Sequence, residues 1–356
     1  MTKLSPETPL LYIADFPGRA GIARVRFHAM DVSSVTWAHI AKLAAEFGSG
    51  DVQIVDDGDL EIGQVSDPEA LTAAARELGW PVHTAVPGPV VAFSPMSGRS
   101  GGWADIRDLY TELASRATGL PVAAWSPFFG LDDGRGDIAA LKPTVGVIAD
   151  EPDRFRLILD GEATADHVAW DDVVDRMVAE YEQRLAGPAP TIKRELEIVD
   201  STAAVSALRP GLDLVGWLAQ EDGKITLGAG LRFGELTSEV VQLLAATEAA
   251  VTVTPWRSIL IHDLDEHEAE SVLRVLAPRG LVFDQESPWL RVSACPHCHL
   301  SLSNTEGDAE TAVHSGDLPA GRVHFAGCDM RCGLPRGNFI EYLALADGEY
   351  EVSSTS

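Results

Sequence analysis

The chain has 356 residues, of which 46% are hydrophobic and 23% charged, and 54 acidic side chains outnumber 27 basic ones to give a net charge of −27. This length suffices for two or three domains with a large core. The negative charge argues against nucleic acid and anionic membranes as partners. Because the sequence shows neither a signal-peptide pattern nor an apolar run of about 20 residues, we predict a cytoplasmic protein.

A first recurring pattern spans residues 21–62. It opens with an alternating strand, and Ser33-Ser34 then provides a helix-capping signal before apolar residues at helical spacing. The alternating residues are Ala23, Val25 and Phe27 on one side and Arg24 and Arg26 on the other. A closing strand is predicted over 51–55 and a second helix over 67–79.

The next segment has the composition of an α/β unit. Its predicted elements are a helix over 103–117, strands near 121–130, 144–149 and 154–160, and a helix over 169–186. The run "DDGRGD", residues 132–137, is typical of a turn. Turn chemistry explains its three aspartates as well as catalysis does, so we assign no catalytic acid or base. Residues 186–205 are rich in Pro and Ala at their start and predict a linker.

A second pattern, over residues 223–261, repeats the first. The strand places Leu227, Ala229 and Leu231 on its apolar face, Thr237-Ser238 provides the cap, and a strand over 250–254 precedes a helix over 265–278. The order strand, helix, strand, helix therefore occurs twice, about 200 residues apart, which indicates an internal duplication.

All four cysteines lie in the last fifth of the chain. Cys295 and Cys298 form a Cys-x2-Cys pair, 29 residues follow, and Cys328 and Cys332 form a Cys-x3-Cys pair in a glycine-bounded turn. Disulfides are rare in the cytoplasm, so the cluster predicts a metal or redox site. Four thiolates hold either structural zinc or an iron–sulfur cluster, and the spacing leaves both open. Nearby histidines that could also be ligands are His297, His299, His314 and His324.

Several segments together resemble precorrin-3B synthase, of the nitrite and sulfite reductase superfamily. They are "SPFFGLDDGRGDI", "VGWLAQEDGKITLGAGLRFGEL", "VTPWRSILIHDL", "SACPHCHLSLSN" and "AGCDMRCGLPRG". The resemblance extends from about residue 17 to the end of the chain. It implies an α+β fold with duplicated ferredoxin-like half-domains and cluster-binding α/β domains. The domains expected are 17–80 and 205–280 for the half-domains, 81–190 for the first α/β domain, and 281–356 for the four-cysteine segment.

The same resemblance implies an oxidoreductase that hydroxylates a tetrapyrrole, precorrin-3A, with molecular oxygen in cobalamin biosynthesis. Cys295, Cys298, Cys328 and Cys332 would hold a 4Fe–4S cluster, and an electron donor would be a partner. A tetrapyrrole with many carboxylates needs cations, because forked guanidinium groups bind carboxylates well. The expected substrate contacts are Thr254, Arg257, Arg331 and Arg336, with Arg322 close to the cysteine turn.

Two features depart from the family pattern. The first cysteine pair is Cys-x2-Cys, where the family usually has Cys-x5-Cys, and this makes zinc more credible. In the first repeat, Asp56, Asp57, Asp59 and Glu61 stand where cations or amides are expected. This acidic loop argues against siroheme, and so against a siroheme-dependent sulfite or nitrite reductase. A third alternative is a diverged, non-catalytic relative with a structural metal site.

Overall fold

The computed structural model describes residues 8–16, 19–55, 58–123, 126–187, 211, 213–296, 298–335 and 339–354. The predicted linker lies outside these residues from position 188 onward. The described residues form four β-sheets and seven α-helices. None of these helices is both long enough and apolar enough to cross a membrane.

The first unit is a sheet covered by two helices. Its elements are β1 (Leu10–Phe16), β2 (Arg19–Arg26), α1 (Ser34–Phe47), β3 (Val52–Ile54), β4 (Leu60–Ile62), α2 (Pro68–Glu77) and β5 (Val82–His83). Strands β3, β4, β2 and β1 follow one another across the sheet and are antiparallel, while β5 pairs parallel to β1.

The second unit is an α/β domain. Its elements are β6 (Val91–Phe93), α3 (Arg107–Ala117), β7 (Phe129–Asp132), β8 (Val145–Glu151), β9 (Arg154–Leu159), β10 (Glu162–Ala169) and α4 (Val173–Ala186). Strands β6, β7 and β8 are parallel neighbours, and β9 and β10 continue the sheet antiparallel. Strand β10 is an element that the sequence analysis did not predict.

The second repeat forms a sheet of its own with the same order of strands as the first. Its elements are β11 (Gly216–Ala219), β12 (Ile225–Gly230), β13 (Glu235–Leu236), α5 (Ser238–Ala246), β14 (Val251–Val253), β15 (Ser258–Leu264) and α6 (Glu266–Leu276). The antiparallel order β14, β15, β12, β11 matches β3, β4, β2, β1. The sequence predicted one closing strand per repeat, whereas each repeat closes with a hairpin of two strands.

The C-terminal unit repeats the α/β arrangement. It contains β16 (Val292–Ala294), α7 (Thr305–Ser315), β17 (Val323–Ala326), β18 (Ile340–Ala346) and β19 (Glu349–Ser354). Strands β16, β17 and β18 are parallel and β19 is antiparallel, as in β6 to β9. The duplication therefore extends beyond the half-domains to the α/β units.

Local sequence explains why the repeated elements form. On β2 and β12, the predicted apolar residues Ala23, Val25, Leu227 and Ala229 are fully buried. The Ser33 hydroxyl accepts a hydrogen bond from Thr36 N at 3.3 Å, which caps α1. The Thr237 hydroxyl caps α5 in the same way through Val240 N. Alternation and capping thus place each helix on the apolar face of its sheet.

The two half-domains share one hydrophobic core. Helices α1 and α5 pack against each other, and the buried residues of both sheets belong to the same cluster. The backbones of Val32 and Val251 exchange hydrogen bonds of 2.8 and 3.2 Å. Strand β13 of the second repeat also extends the first sheet by pairing with β3. The half-domains are consequently held together by both apolar packing and backbone pairing.

This shared core gives a stability prediction for α1. Leu43 is fully buried, whereas Val35 on the same helix is 61% exposed. We expect Leu43→Ala to lower the free energy of unfolding by about 2–5 kcal/mol, because it leaves a cavity at the joint core. Val35→Ala should change it by less than about 0.5 kcal/mol. Urea unfolding monitored by circular dichroism measures both, and equal effects would show that the α1 face is not the core.

Candidate metal and redox site

The cysteine pairs are brought together by two parallel strands. Val292 and Ala294 of β16 pair with Val323 and Phe325 of β17. Cys295 directly follows β16, and Cys328 follows β17 by two residues. The carboxyl ends of parallel neighbours meet at one edge of a sheet, where loops build ligand sites. Both predicted pairs therefore emerge at the same edge.

Cys295 and Cys332 are in direct contact. The Cys295 thiol lies 3.1 Å from the carbonyl oxygen of Cys332 and also hydrogen-bonds to its sulfur. That hydrogen bond, with the positive charge of Arg19 nearby, lowers the pKa of Cys332. The same bond, together with burial, raises the pKa of Cys295. The contact thus favours the thiol form at Cys295 and the thiolate form at Cys332.

The other two thiols lie in the turns that follow. The carbonyl of Cys328 accepts from Arg331 N at 3.0 Å, and the carbonyl of Cys298 accepts from Ser301 N at 3.1 Å. Gly327 precedes Cys328 and donates its N–H to the Cys295 sulfur. A Cβ on Gly327 would come within 2.0 Å of the Ser301 hydroxyl, so only glycine permits this approach. Both turns are consequently packed against each other.

The spacing of the sulfurs bears on which metal fits. Among the described residues, which include all four cysteines, no three cysteine sulfurs lie within 4.8 Å of one another. A tetrahedral zinc ion about 2.3 Å from each sulfur needs sulfurs about 3.8 Å apart. A 4Fe–4S cluster distributes its four thiolates over four iron atoms and accepts a wider cage. Four thiols are the donor set of a cluster, and although Cys295 and Cys332 are in contact, no three of the four described sulfurs have the spacing that a single zinc requires.

One of the predicted histidines lies against this site. His324 is fully buried, its Nδ1 is 2.9 Å from the Ser293 hydroxyl, and its Nε2 is 3.9 Å from the Cys295 sulfur. Burial, with Arg257 and Arg322 nearby, lowers its pKa to about 3, so the ring is neutral. His299 and His314 are exposed, and His297 falls outside the described residues.

Among the predicted substrate contacts, Arg257 holds the cysteine turn. Its Nη2 donates to the carbonyl oxygen of Gly333 at 2.8 Å, which links the β14–β15 turn to the residue after Cys332. Thr254 is fully buried, and its hydroxyl lies 2.6 Å from that of Ser258 within the same turn. Both residues shape this turn, and a direct ligand contact by either stays a prediction.

The other two predicted arginines are Arg331, between Cys328 and Cys332, and Arg336, which follows them in the sequence. Arg331 donates through Nε to the buried Glu341 carboxylate on β18 at 2.9 Å. This ion pair anchors the turn between Cys328 and Cys332. Arg336 lies outside the described residues.

The acidic residues of the first repeat are matched by arginines. Glu61 is 2% exposed and binds Arg19 and Arg24, the latter at 3.2 Å from its directly opposite position on β2. Asp59 binds Arg26 at 2.9 Å and accepts from the Tyr12 hydroxyl at 2.7 Å. Sequence reasoning took these acids as uncompensated, and the pairing across β2 and β4 corrects that for Asp59 and Glu61. Asp56 and Asp57 lie outside the described residues.

A cleft of about 400 Å³ adjoins the cysteines. It lies between the first sheet and the loop after β16, and Arg19 and Glu61 on its wall act electrostatically on Cys332. Its charged and amide lining residues are Arg19, Asp51, Gln53, Glu61, Gln64, Glu235 and Glu306. Burial and the nearby Asp51 raise the pKa of Glu235. The cleft can therefore hold a small molecule within reach of the cysteine site, in mostly acidic surroundings.

In the sheet of the first α/β unit, the equivalent edge carries side-chain oxygen atoms where the C-terminal unit has sulfur atoms. Ser94 follows β6 as Cys295 follows β16, and their N–H groups donate to Leu131 O and Phe325 O at 3.1 and 2.8 Å. The Ser94 hydroxyl donates to Asp137. Three carboxylates, from Asp132, Asp133 and Asp137, lie within 4.8 Å of one another here. Sequence patterns missed this correspondence, although the spacing Ser94-x2-Ser97 parallels the first cysteine pair.

Two of these aspartates bind other groups of the same turn. The Asp132 carboxylate accepts four backbone N–H groups, from Gly134, Gly136, Ile138 and Ala139, at 2.9 to 3.0 Å. Asp133 binds Arg135 at 2.7 Å. Turn formation therefore accounts for Asp132 and Asp133, two of the three aspartates to which sequence analysis assigned no catalytic role.

The fold agrees with a solved structure. The NirA protein of Mycobacterium tuberculosis superposes with a TM-score of 0.67 at 17% identity, over 94% of this chain and 73% of that one. The chain has the fold of the nitrite and sulfite reductases, as predicted. No protein-family model matches the chain, and no curated protein matches it in sequence.

Asp137 yields a pH prediction. Burial, reinforced by the charge of Asp132, raises its pKa to about 8, and within the described residues its Oδ2 has no hydrogen-bond partner. A raised pKa in the folded state means that stability falls as pH rises from about 4 toward 8. Asp137→Asn mimics the protonated acid and should be more stable than wild type at pH 8 by more than about 1 kcal/mol.

Urea unfolding at pH 5 and pH 8 measures this difference. The exposed Asp171→Asn variant is the control and should keep the wild-type pH dependence. An Asp137→Asn protein that loses stability between the two pH values as steeply as wild type would contradict the assignment.

Proposed function

We propose that the chain is an oxidoreductase of the nitrite and sulfite reductase superfamily, and that Cys295, Cys298, Cys328 and Cys332 hold a 4Fe–4S cluster. The observation that carries this proposal is the position of both cysteine pairs at one strand edge, beside a cleft of about 400 Å³. A bound cluster would supply one-electron transfer to a molecule in that cleft. The fold by itself does not specify a reaction, so the site is the basis of the argument.

The chain's own residues would set the cluster's surroundings. Gly327 offers a backbone N–H to the Cys295 sulfur, and the neutral His324 lies 3.9 Å from the same atom. Hydrogen bonds to cluster sulfurs and exclusion of water are the means by which proteins adjust cluster potentials. Arg257 fixes the turn through Gly333.

The specific activity that we propose is hydroxylation of a tetrapyrrole, as in precorrin-3B synthase, with molecular oxygen and an electron donor as partners. The cleft volume lies in the usual range for small-molecule sites. On its wall Arg19 pairs with the buried carboxylate of Glu61, and a substrate carboxylate could compete for this guanidinium group. Cluster-loaded protein that neither binds nor converts precorrin-3A would refute this activity.

Two alternatives have different signatures. A non-catalytic relative with structural zinc is favoured by the shortened first cysteine pair, and disfavoured because no three of the four described sulfurs have the spacing that zinc needs. A siroheme enzyme would show strong Soret and red absorption bands in addition to the broad absorption of a cluster.

Metal analysis tests the cluster. Anaerobically purified protein should contain about four irons and four acid-labile sulfides per chain and absorb broadly near about 400 nm. Cys328→Ala should lose most of this iron and absorption, because a ligand is removed. Met330→Ala changes an exposed residue of the same turn and should keep the full content. About one zinc without sulfide would replace the proposal with the structural-site alternative.

Tetrapyrrole binding tests the cleft. Glu61→Gln removes the carboxylate that Arg19 binds on the cleft wall, so this guanidinium group can bind ligand carboxylates instead. We expect the variant to bind a porphyrin octacarboxylate at least about tenfold more tightly than wild type, in an absorbance titration at low salt. The exposed Glu162→Gln on β10 is the matched control and should bind like wild type. Equal affinities for all three proteins would place the tetrapyrrole elsewhere.

A further inference from the structure

A second cavity, which we call the arginine pocket, lies beside the cysteine strands. It has a volume of about 60 Å³. Its walls come from β12, the β14–β15 turn, the residues before and within β16, and the residue that precedes β17. The lining residues used below are Trp256, Arg257, Trp289, Arg291, Ser293 and Arg322. It is separate from the cleft, with which it shares no lining residue.

The charge of this pocket is opposite to that of the chain. Acidic side chains outnumber basic ones 54 to 27 in the sequence, yet the lining residues in the described part of the chain include three arginines and no acidic side chain. The cleft, by contrast, has one arginine and four carboxylates in its lining. A fourth guanidinium, from Arg232, stacks 4.5 Å above the Trp289 ring. Concentrated positive charge with low-dielectric aromatic walls attracts anions strongly.

Two of the three arginines are held in place by backbone carbonyl groups. Arg257 donates to the Gly333 carbonyl at 2.8 Å, and Arg291 donates to the Pro319 carbonyl at 3.1 Å. Each guanidinium has five N–H donors, so one group can serve a carbonyl and an oxyanion together. Guanidinium groups that are already oriented lose little entropy when a ligand binds.

The volume limits what the pocket can take. A water needs about 10–15 Å³ of such space, so about 60 Å³ accommodates roughly four to six waters. A tetrahedral oxyanion with five heavy atoms has this size, whereas a tetrapyrrole does not. We propose that the arginine pocket binds a small inorganic oxyanion of the sulfate or phosphate class. The proposal does not depend on the cluster or on the reaction proposed above.

A bound anion would affect the cysteine site, because the pocket and the cysteine site share backbone segments. Ser293 lies on β16 two residues before Cys295, and Arg322 directly precedes β17. Arg257 bonds to the residue that follows Cys332. An oxyanion would therefore bridge the backbone segments that carry both cysteine pairs.

Titration of the full-length protein with sodium sulfate tests the proposal. Ionic strength is held constant with sodium chloride, and binding is followed by calorimetry and by the fluorescence of tryptophan, since Trp256 and Trp289 line the pocket. We expect saturable binding of one sulfate per chain, with phosphate competing. Arg322→Met and Arg291→Met should each weaken binding at least tenfold. Arg274→Met, at an exposed position on α6, should bind like wild type.

The remaining outcomes decide against the proposal. Absence of saturable sulfate binding by the wild type would overturn it, and so would equal heat from chloride alone or unchanged affinity in Arg322→Met. Acetate binding as tightly as sulfate would assign the pocket to a carboxylate instead. Arg291 also serves the Pro319 carbonyl, so Arg322→Met is the deciding variant, with its folding verified by circular dichroism. Iron content is measured on the same samples, so a failure of the cluster proposal is recognised separately.

Discussion

The site depends on the parallel pairing of β16 with β17. The backbone register joins Ala294 to Phe325, and Cys295 N then donates to Phe325 O at 2.8 Å. A shift of one residue would turn every side chain of the strand to the other face and separate the two cysteine pairs. Gly327 completes the arrangement, because its missing side chain allows the two loops to meet. Cysteines almost 30 residues apart in sequence thus become neighbours through backbone geometry.

The two copies of the α/β unit carry different side chains at this edge. In the first α/β unit the same strand ends carry Ser94 and the aspartate-rich turn, and Asp132 satisfies four backbone N–H groups there. In the second unit the equivalent loops carry thiols, which leaves the backbone to be held by Arg257 and Thr305 from outside. One copy therefore stabilises its own turn with side-chain carboxylates, while the other can commit its side chains to a ligand.

Local patterns were sufficient for the repeats, the helix caps and the clustering of cysteines, because each depends on residues close in sequence. They did not predict strands β4 and β15, since β4 has only three residues and both follow the preceding strand closely. Nor did they predict that Glu61 pairs with Arg19 and Arg24, because the partners are separated by 42 and 37 positions and meet only through sheet register. The acidic run consequently seemed to exclude ligand carboxylates, whereas Asp59 and Glu61 serve as internal counter-ions of the β2 arginines.

Those counter-ions help to explain the distribution of charge around the cysteines. Pro296, next to Cys295, lines the acidic cleft, while Ser293, two residues before Cys295, lines the arginine pocket. The thiols therefore lie between a negative and a positive environment in a chain whose net charge is −27. Positive charge on the arginine side favours thiolates, whereas the lowered pKa of Cys332 has its main cause in the hydrogen bond from Cys295, with Arg19 of the cleft contributing. The carboxylates on the other side disfavour added negative charge, so in the proposed cluster site this asymmetry would influence both how readily the centre accepts an electron and which ligands approach it.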